Sequence, residues 1–243
     1  MKFLKSHPFA VEAFFDSSIV LTFAVPKEDL ESFVPKRLSL DTFEDKYAFI
    51  AVAIVDTKGL RPKGFPRFIG NNFHLIGYRI FVRYTDLEGK ILRGLYIIKS
   101  ETDKKRMEIL GNIFTHYDYT STDVAIFRKG SLEIVSSSKS AFYISIDNDH
   151  AKIEMPLGSP FTNWKDARRF AGPLPHTFAC DNDGDSVLII RGIRQNWKPR
   201  AINVIQYKIS FLESLNLQNI ILASAFKIEN IPYYWEKGKV EKW

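Results

Sequence analysis

Strand-like segments follow one another along this chain with little sequence between them. They alternate apolar with polar residues, or are β-branched and aromatic, as strands are. They lie at Ser18–Val25, Tyr47–Val55, Phe73–Tyr84, Leu92–Lys99, Asp123–Arg128, Ser131–Ser136, Phe142–Asp147, Ala151–Met155, Ser186–Arg191, Val204–Ile209 and Ile220–Ile228. Gaps this short favour hairpins over βαβ crossovers, and closing a large sheet removes its exposed edges. We therefore predict a mainly β (α+β) fold, built as a closed antiparallel β-barrel.

Helical patterns are few, and we expect a few peripheral helices outside the barrel. Pro26–Val34 begins with a proline and has acidic residues in its first turn. Lys104–Phe114 carries apolar residues at 3–4 spacing, and Trp164–Phe170 is followed by a Gly-Pro stop. The segments Tyr47–Val55 and Phe73–Tyr84 are too apolar for a sheet with one face in water, so they should be central strands.

The composition limits the domain number and the partners. The 243 residues contain no repeat, low-complexity linker or flexible hinge, so we predict a single domain over residues 1–243. The 20 phenylalanines allow a sizeable core or a roomy apolar pocket. The net charge of +6 is mild and lacks a zinc-finger or RNA-binding motif beside it. We expect no nucleic-acid partner, and the excess positive charge can favour small anionic ligands.

Membrane insertion and disulfide bonding are both disfavoured. The longest apolar run, Tyr47–Val55, is half the length of a membrane span, and the N-terminal residues contain no continuous apolar signal region. Cys180 is the only cysteine, which excludes an internal disulfide or a multi-cysteine metal site. We expect a cytoplasmic protein without a membrane partner, and we leave homo-oligomerisation open.

Common catalytic motifs are absent from the sequence, including G-x-S-x-G, H-E-x-x-H and the phosphate-binding glycine loops. The five histidines are isolated in sequence, at His7, His74, His116, His150 and His176. We therefore predict neither a metal nor another cofactor. Whether the protein is an enzyme stays open at this point.

The segment Phe73–Arg83 holds a charged residue among bulky apolar ones. As a strand it presents Arg79 with Leu75 and Gly77 on one face, and His74 on the other. Arg79 is then either a member of a structural ion pair or aimed at a ligand anion. We take Arg79 and His74 as candidate ligand-binding residues.

The segment Gly111–Tyr119 places polar and aromatic groups where a helix ends and a strand begins. Such junctions often line the mouth of a pocket. His116 could act as an acid or base near neutral pH, and we take His116 and Tyr119 as candidate catalytic residues. In the alternative interpretation these two side chains only hydrogen-bond the loop.

The segment from Ser159 to Phe178 combines a short helix with a Pro-x-Pro exit. Its adjacent arginines, Arg168 and Arg169, cannot share one helical face, so at most one should point inward. We take Arg169 and His176 as candidate ligand-binding residues, and the choice between the two arginines stays open.

Several motifs occur in the order in which a known superfamily has them. Pro35–Phe43 is similar to a P-x-x-L-x-L-D motif, and Phe73–Arg83 to an F-P-E-x-N-V-R-T-Y-V-R strand. Gly94–Ile98, with a helix ending at Gly111, is similar to the next strand and helix. Over residues 25–147 the chain thus resembles the acetoacetate decarboxylase-like superfamily, especially its YqjF-like/DUF2071 branch. The resemblance implies a conical antiparallel β-barrel with a central pocket.

In the decarboxylases of that superfamily a lysine, preceded by a proline, forms a Schiff base with the substrate ketone, and a carboxylate assists. The matching segment here has Tyr119 at the lysine position and Asp118 at the proline position. Leu75 stands where the branch has a glutamate, while Arg79 matches its arginine. The resemblance therefore implies the fold but a pocket without the Schiff-base lysine.

We accordingly predict a protein that binds a small anionic or carbonyl compound in the barrel pocket, with lysine-independent acid/base chemistry as its potential reaction. The alternative is a non-catalytic small-ligand-binding or sensory protein. A third hypothesis, a true Schiff-base decarboxylase, requires another lysine, such as Lys99, to enter the pocket.

Overall fold

The computed structural model describes residues 4–149, 153–172, 174–181 and 185–243. The strands are β1 (Val11–Pro26), β2 (Ser39–Leu40), β3 (Tyr47–Pro62), β4 (Asn71–Thr85), β5 (Ile91–Thr102), β6 (Tyr119–Ser121), β7 (Ala125–Lys129), β8 (Leu132–Ser137), β9 (Phe142–Asp147), β10 (His176–Cys180), β11 (Ser186–Arg194), β12 (Arg200–Ala201), β13 (Asn203–Ile209), β14 (Ile221–Trp235) and β15 (Lys239–Lys242). The helices are α1 (Lys27–Glu31), α2 (Lys105–Phe114), α3 (Trp164–Ala171) and α4 (Ser210–Ser214), with 3₁₀ turns at Leu4–Ser6 and Arg67–Ile69.

These strands form two sheets. The 11-stranded sheet runs in the order β12-β14-β1-β3-β4-β5-β10-β11-β15, with β2 beside β4 and β6 beside β5. The 4-stranded sheet runs β13-β9-β8-β7. The pairings are antiparallel apart from β5 with β10 and β5 with β6. In addition, β11 pairs with β14 at Gly192–Arg194. The predicted mainly β fold is confirmed, and β3 and β4 are central in the larger sheet, as expected.

Both faces of the larger sheet are covered by other parts of the chain. On one face, Ile76 and Ile80 of β4 join a hydrophobic core that includes Ile144 of the smaller sheet. On the other face, Phe81 of β4 belongs to a second core that includes Ala167 of α3. Alternate residues of a strand point to opposite faces, so the alternation predicted for this strand is confirmed. The two faces of this strand contribute side chains to two different cores.

The helices agree with the sequence pattern. α2 begins one residue after the predicted start, and α3 begins at Trp164 as predicted. The side chain of Asn163 caps α3 by accepting a hydrogen bond from the backbone N–H of Asp166 (3.0 Å). Among the residues described, no helix has the length and apolar composition that crossing a bilayer requires.

The strand predicted at Ala151–Met155 is wrong where the structure can be compared with it. Ala151 and Lys152 lie outside the described residues, and residues 153–155 form no strand. The carbonyl of Ile153 accepts a hydrogen bond from Trp164 Nε1 (2.8 Å). The indole thus satisfies a backbone group that a neighbouring strand would otherwise have to pair.

The strand β10 was not predicted, because a short segment directly after a Pro-x-Pro exit gives too little alternation to read. It pairs in parallel with β5, where His176 lies opposite Gly94. A side chain at Gly94 would collide with the carbonyl oxygen of His176. The glycine therefore permits the close approach of these two strands.

A buried ion pair joins the two sheets. Lys227 Nζ of β14 lies 2.7 Å from Glu133 Oε2 of β8, and the two side chains are 8% and 1% exposed. Lys227→Met would leave the buried Glu133 carboxylate with the more exposed Arg128 as its remaining cation among the described residues (Arg128 Nε to Glu133 Oε1, 2.8 Å), so it should lower the free energy of unfolding by about 1–3 kcal/mol. Urea denaturation measures this, with Lys208→Met at an exposed position of β13 as the control. Equal stability of the two variants would contradict the assigned role.

Candidate functional site

A cavity of about 60 Å³ lies on the α3 side of the larger sheet. The sheet contributes small side chains to it, among them Thr22 of β1 and Ala51 and Ala53 of β3. The segment that ends α3 and follows it contributes Gly172 and Leu174. Because β3 alternates, Ile50, Val52 and Ile54 point into the opposite core, while Ala51 and Ala53 face this side. The small residues of β3 thus leave the space that the cavity occupies.

Arg79 of β4 lines this cavity. Its Nε is buried and has no hydrogen-bond partner, and its guanidinium forms no ion pair within the described part of the chain. The guanidinium folds back over Gly77, where a Cβ would lie 3.2 Å from Nε and 3.3 Å from Nη2. Gly77 therefore provides the room that the Arg79 side chain needs in this conformation.

The surroundings of Arg79 do not neutralise it. Burial lowers the pKa of the Arg79 guanidinium, and the nearby charge of Arg194 lowers this pKa further, while Tyr233 and Tyr119 act in the opposite direction. An arginine side chain stays protonated in proteins even so. The cavity thus contains a partly buried cation, with its Nε fully buried, that is near phenols and a second cation.

Two further arginines line the same cavity. Arg194 donates from Nη2 to the carbonyl of Leu174 (3.1 Å), and its guanidinium lies over the rings of Trp197 (4.8 Å) and Tyr233 (5.2 Å). Arg168 reaches the cavity from α3 and is otherwise exposed. In the residues that the structure describes, no aspartate or glutamate lines this cavity. Its charge is positive, and none of the described residues that line it supplies a counter-ion.

Tyr119 is buried close to Arg79 and is held by α2. Its backbone N–H donates to Asn112 Oδ1 and its carbonyl accepts from Asn112 Nδ2, both at 2.8 Å. Its ring covers Gly111. Burial raises the pKa of Tyr119 to about 12, against the opposing effect of Arg79. At neutral pH this phenol keeps its proton and can donate a hydrogen bond.

The remaining predicted site residues lie elsewhere. His74 is on the face of β4 opposite Arg79, and its backbone N–H donates to Asp103 Oδ1 (2.7 Å). The His176 ring nitrogen Nδ1 is 3.1 Å from the carbonyl oxygen of Arg93, and burial lowers the pKa of this histidine. Neither histidine is among the residues that line the cavity.

His116 and Arg169 also stand away from the cavity lining. Burial lowers the pKa of His116, as does the charge of Lys5, while Asp181 opposes them. Arg169 is exposed on α3 and its neighbour Arg168 is the arginine that reaches the cavity. Of the predicted site residues, Arg79 lines the cavity and Tyr119 lies near its guanidinium but outside the cavity lining, and the roles of all of them stay predictions.

Sequence reasoning gave Arg194 and Trp197 no specific role. In the sequence, Arg194 stands three residues before Trp197, and this spacing does not indicate a particular kind of site. Gly77 was noted on the face of Arg79, but only the folded side chain reveals why a glycine stands there. No group of residues suited to hold a metal ion was found in the described ranges.

Solved structures with this architecture share little sequence with the chain. The acetoacetate decarboxylase of Legionella pneumophila subsp. pneumophila str. Philadelphia 1 is 11% identical, with a TM-score of 0.65 over 96% of this chain and 88% of that chain. An acetoacetate decarboxylase-like enzyme from Sphingomonas wittichii RW1 is 10% identical, with a TM-score of 0.59 over 98% and 94%. The enduracididine biosynthesis enzyme MppR complexed with pyruvate is 9% identical, with a TM-score of 0.55 over 96% and 90%.

The chain therefore has the fold of the acetoacetate decarboxylase-like superfamily, as its motifs implied. Within it, the chain belongs to the DUF2071 family, described as "Uncharacterized conserved protein", which matches residues 14–224. Among curated proteins, no sequence matches the chain at a significant level. At these identities the structural neighbours establish the fold alone.

The contact of Tyr119 with α2 can be tested through Gly111. A Cβ at this position would lie 2.6 Å from Tyr119 Cε2, so Gly111→Ala should destabilise the protein by about 1–3 kcal/mol through overpacking. Helix propensity alone predicts a gain of about 1 kcal/mol, so the two explanations differ in sign. Thermal unfolding of Gly111→Ala in wild-type and Tyr119→Ala backgrounds measures it. Equal losses in both backgrounds would show that the ring is not the cause.

Proposed function

We propose that this protein binds a small anionic compound, with a carboxylate as the recognised group, in the cavity beside Arg79. The observation that carries the proposal is the Arg79 guanidinium, which faces an apolar cavity without a partner among the described residues. A buried unpaired charge is costly, and a carboxylate can compensate it through two parallel N–H···O bonds. MppR, a structural neighbour, is complexed with pyruvate, which supports a small carboxylate as the ligand of this fold.

We further propose that the larger sheet closes into a barrel with the cavity inside it. The pairing of β11 with β14 supports closure, because β14 also pairs with β1 at the other side of the sheet order. The cavity lining also supports it, since β1, β3, β4, β5 and β14 all contribute residues. A ligand in such a barrel would exchange water for apolar walls and fixed cations.

Binding is a better-supported role for the tyrosines than base catalysis. A phenol whose pKa is raised to about 12 is a poor base at neutral pH but a competent hydrogen-bond donor. We assign Tyr119 the role of donating to an oxygen of the bound compound next to Arg79. The lysine-independent acid/base reaction stays a second candidate function, and the same Tyr119 proton would serve it as a general acid.

A Schiff-base mechanism has weaker support. No lysine is among the described residues that line the cavity. Lys99 lies opposite Tyr78 in the sheet, on the face away from Arg79, and its Nζ is 2.8 Å from Glu101 Oε1. To form an imine with a ligand in the cavity, this amine would have to leave Glu101 and reach the other face of the sheet.

Replacing Arg79 tests the binding proposal. Arg79→Met should weaken pyruvate binding about 30-fold or more, on the order of 2 kcal/mol, because a charge-assisted bidentate contact is lost. Isothermal titration calorimetry measures the affinity, and Arg169→Met, exposed and away from the cavity, is the matched control. The melting temperature of Arg79→Met should not fall, since an unpaired cation leaves the interior. Unchanged affinity would remove the assignment.

Borohydride trapping tests the absence of imine chemistry. Reduction in the presence of acetoacetate or pyruvate should leave the intact mass unchanged, because the phenol of Tyr119 cannot form an imine. A Schiff-base acetoacetate decarboxylase treated in parallel is the positive control. An adduct mapped by peptide analysis to Lys99, or to another lysine, would restore the decarboxylase or aldolase hypothesis.

A further inference from the structure

The cavity holds more positive charge than one carboxylate can balance. Arg79, Arg168 and Arg194 all line it, and no carboxylate of the described residues does. Arg79 and Arg194 are close enough for one guanidinium to disfavour the charge of the other. Elsewhere in the larger sheet, arginines are balanced by acids, as Arg83 and Arg93 are by the two oxygens of buried Asp41 (2.6 Å each). This contrast singles out the cavity as a place where the counter-charge comes from outside the chain.

The three arginines differ in how many of their N–H groups are already used. Arg194 donates one N–H group to the carbonyl of Leu174. Its guanidinium also lies over the rings of Trp197 and Tyr233, and these contacts hold it in place. Arg79 donates none of its side-chain N–H groups to an acceptor in the described part of the chain. Arg168 forms no ion pair with another described residue and reaches the cavity from the α3 side. An arginine has five N–H donors, so donors remain on each.

From this arrangement we infer that the ligand is a short dicarboxylate, with one carboxylate on Arg79 and the other on Arg194 and Arg168. The inference rests on the proposed function, that the cavity binds a carboxylate. A monoanion would neutralise Arg79 and leave Arg194 uncompensated, whereas a dianion neutralises both. The walls between the arginines are apolar, with Phe81 and Ile228 among them, and suit the methylene groups of a short chain.

The size of the cavity limits the chain length. A volume of about 60 Å³ corresponds to about four to six water-sized groups, since one water needs roughly 10–15 Å³ of such space. Malonate, with seven non-hydrogen atoms, and succinate, with eight, come nearest to this space, and glutarate, with nine, sets the upper end of the range to test. A single phosphate is the compact alternative, because its charge is concentrated on one centre and cannot span separated guanidinium groups.

The experiment compares succinate with butyrate, which have four carbons each and differ in one carboxylate. Isothermal titration calorimetry at constant ionic strength should give succinate an affinity at least about tenfold higher, the effect of one more charge-assisted contact. Arg168→Gln and Arg194→Gln should each remove most of the advantage of succinate over butyrate. Arg169→Gln, the exposed neighbour on α3, should change neither affinity.

Arg168 is exposed on α3, so Arg168→Gln should stay folded, and its melting temperature checks this. Butyrate binding equal to succinate binding would overturn the dicarboxylate inference and leave the proposed function standing, provided Arg79→Met loses butyrate. Tighter binding of inorganic phosphate than of malonate, succinate and glutarate would also overturn it. Failure of every carboxylate to bind would overturn the proposed function itself, and the inference with it.

Discussion

Burial of both faces of the larger sheet is the constraint on which the rest of this structure depends. Each residue from Ala48 to Val55 of β3 is buried in one of two cores, and Ile76, Ile80 and Phe81 of β4 are divided between the same two cores. A charged group on a face of this sheet is therefore costly unless it is paired or lies at a cavity. Glu133 and Lys227 form an ion pair where the smaller sheet meets the larger one, whereas Arg79 lies at the cavity.

The cavity is the product of small residues on one face of that sheet. Ala51 and Ala53 alternate with bulkier residues that fill the opposite core, so volume is removed from one side without weakening the other. In the neighbouring strand β4, the absence of a side chain at Gly77 leaves room for the guanidinium of Arg79. Because alternate residues of a strand point to opposite faces, one face of β3 packs in the core that faces the smaller sheet, while the other face borders the cavity.

Much of the fold could be predicted from sequence, because alternation and turn signals are local. The two-faced pattern of β4 and the start of α3 at Trp164 are examples. The cavity could be predicted only in part. Arg79 stands out among apolar neighbours, but Arg194 approaches from a distant strand and lies in an unremarkable sequence. Arg194 becomes a candidate binding residue because the fold brings it to the same cavity as Arg79. A pattern in one sequence does not encode that proximity.

A tyrosine, Tyr119, at the position that the resemblance assigns to the lysine would change what the neighbouring cations can do. In an imine-forming site, a nearby cation lowers the pKa of an amine and so provides a neutral nucleophile. A phenol does not become a nucleophile of that kind, and burial raises the pKa of Tyr119 to about 12. Under the proposed function the arginines therefore hold the ligand's charge instead of activating a residue. The same fold then supports recognition by charge, with the tyrosine supplying one hydrogen bond.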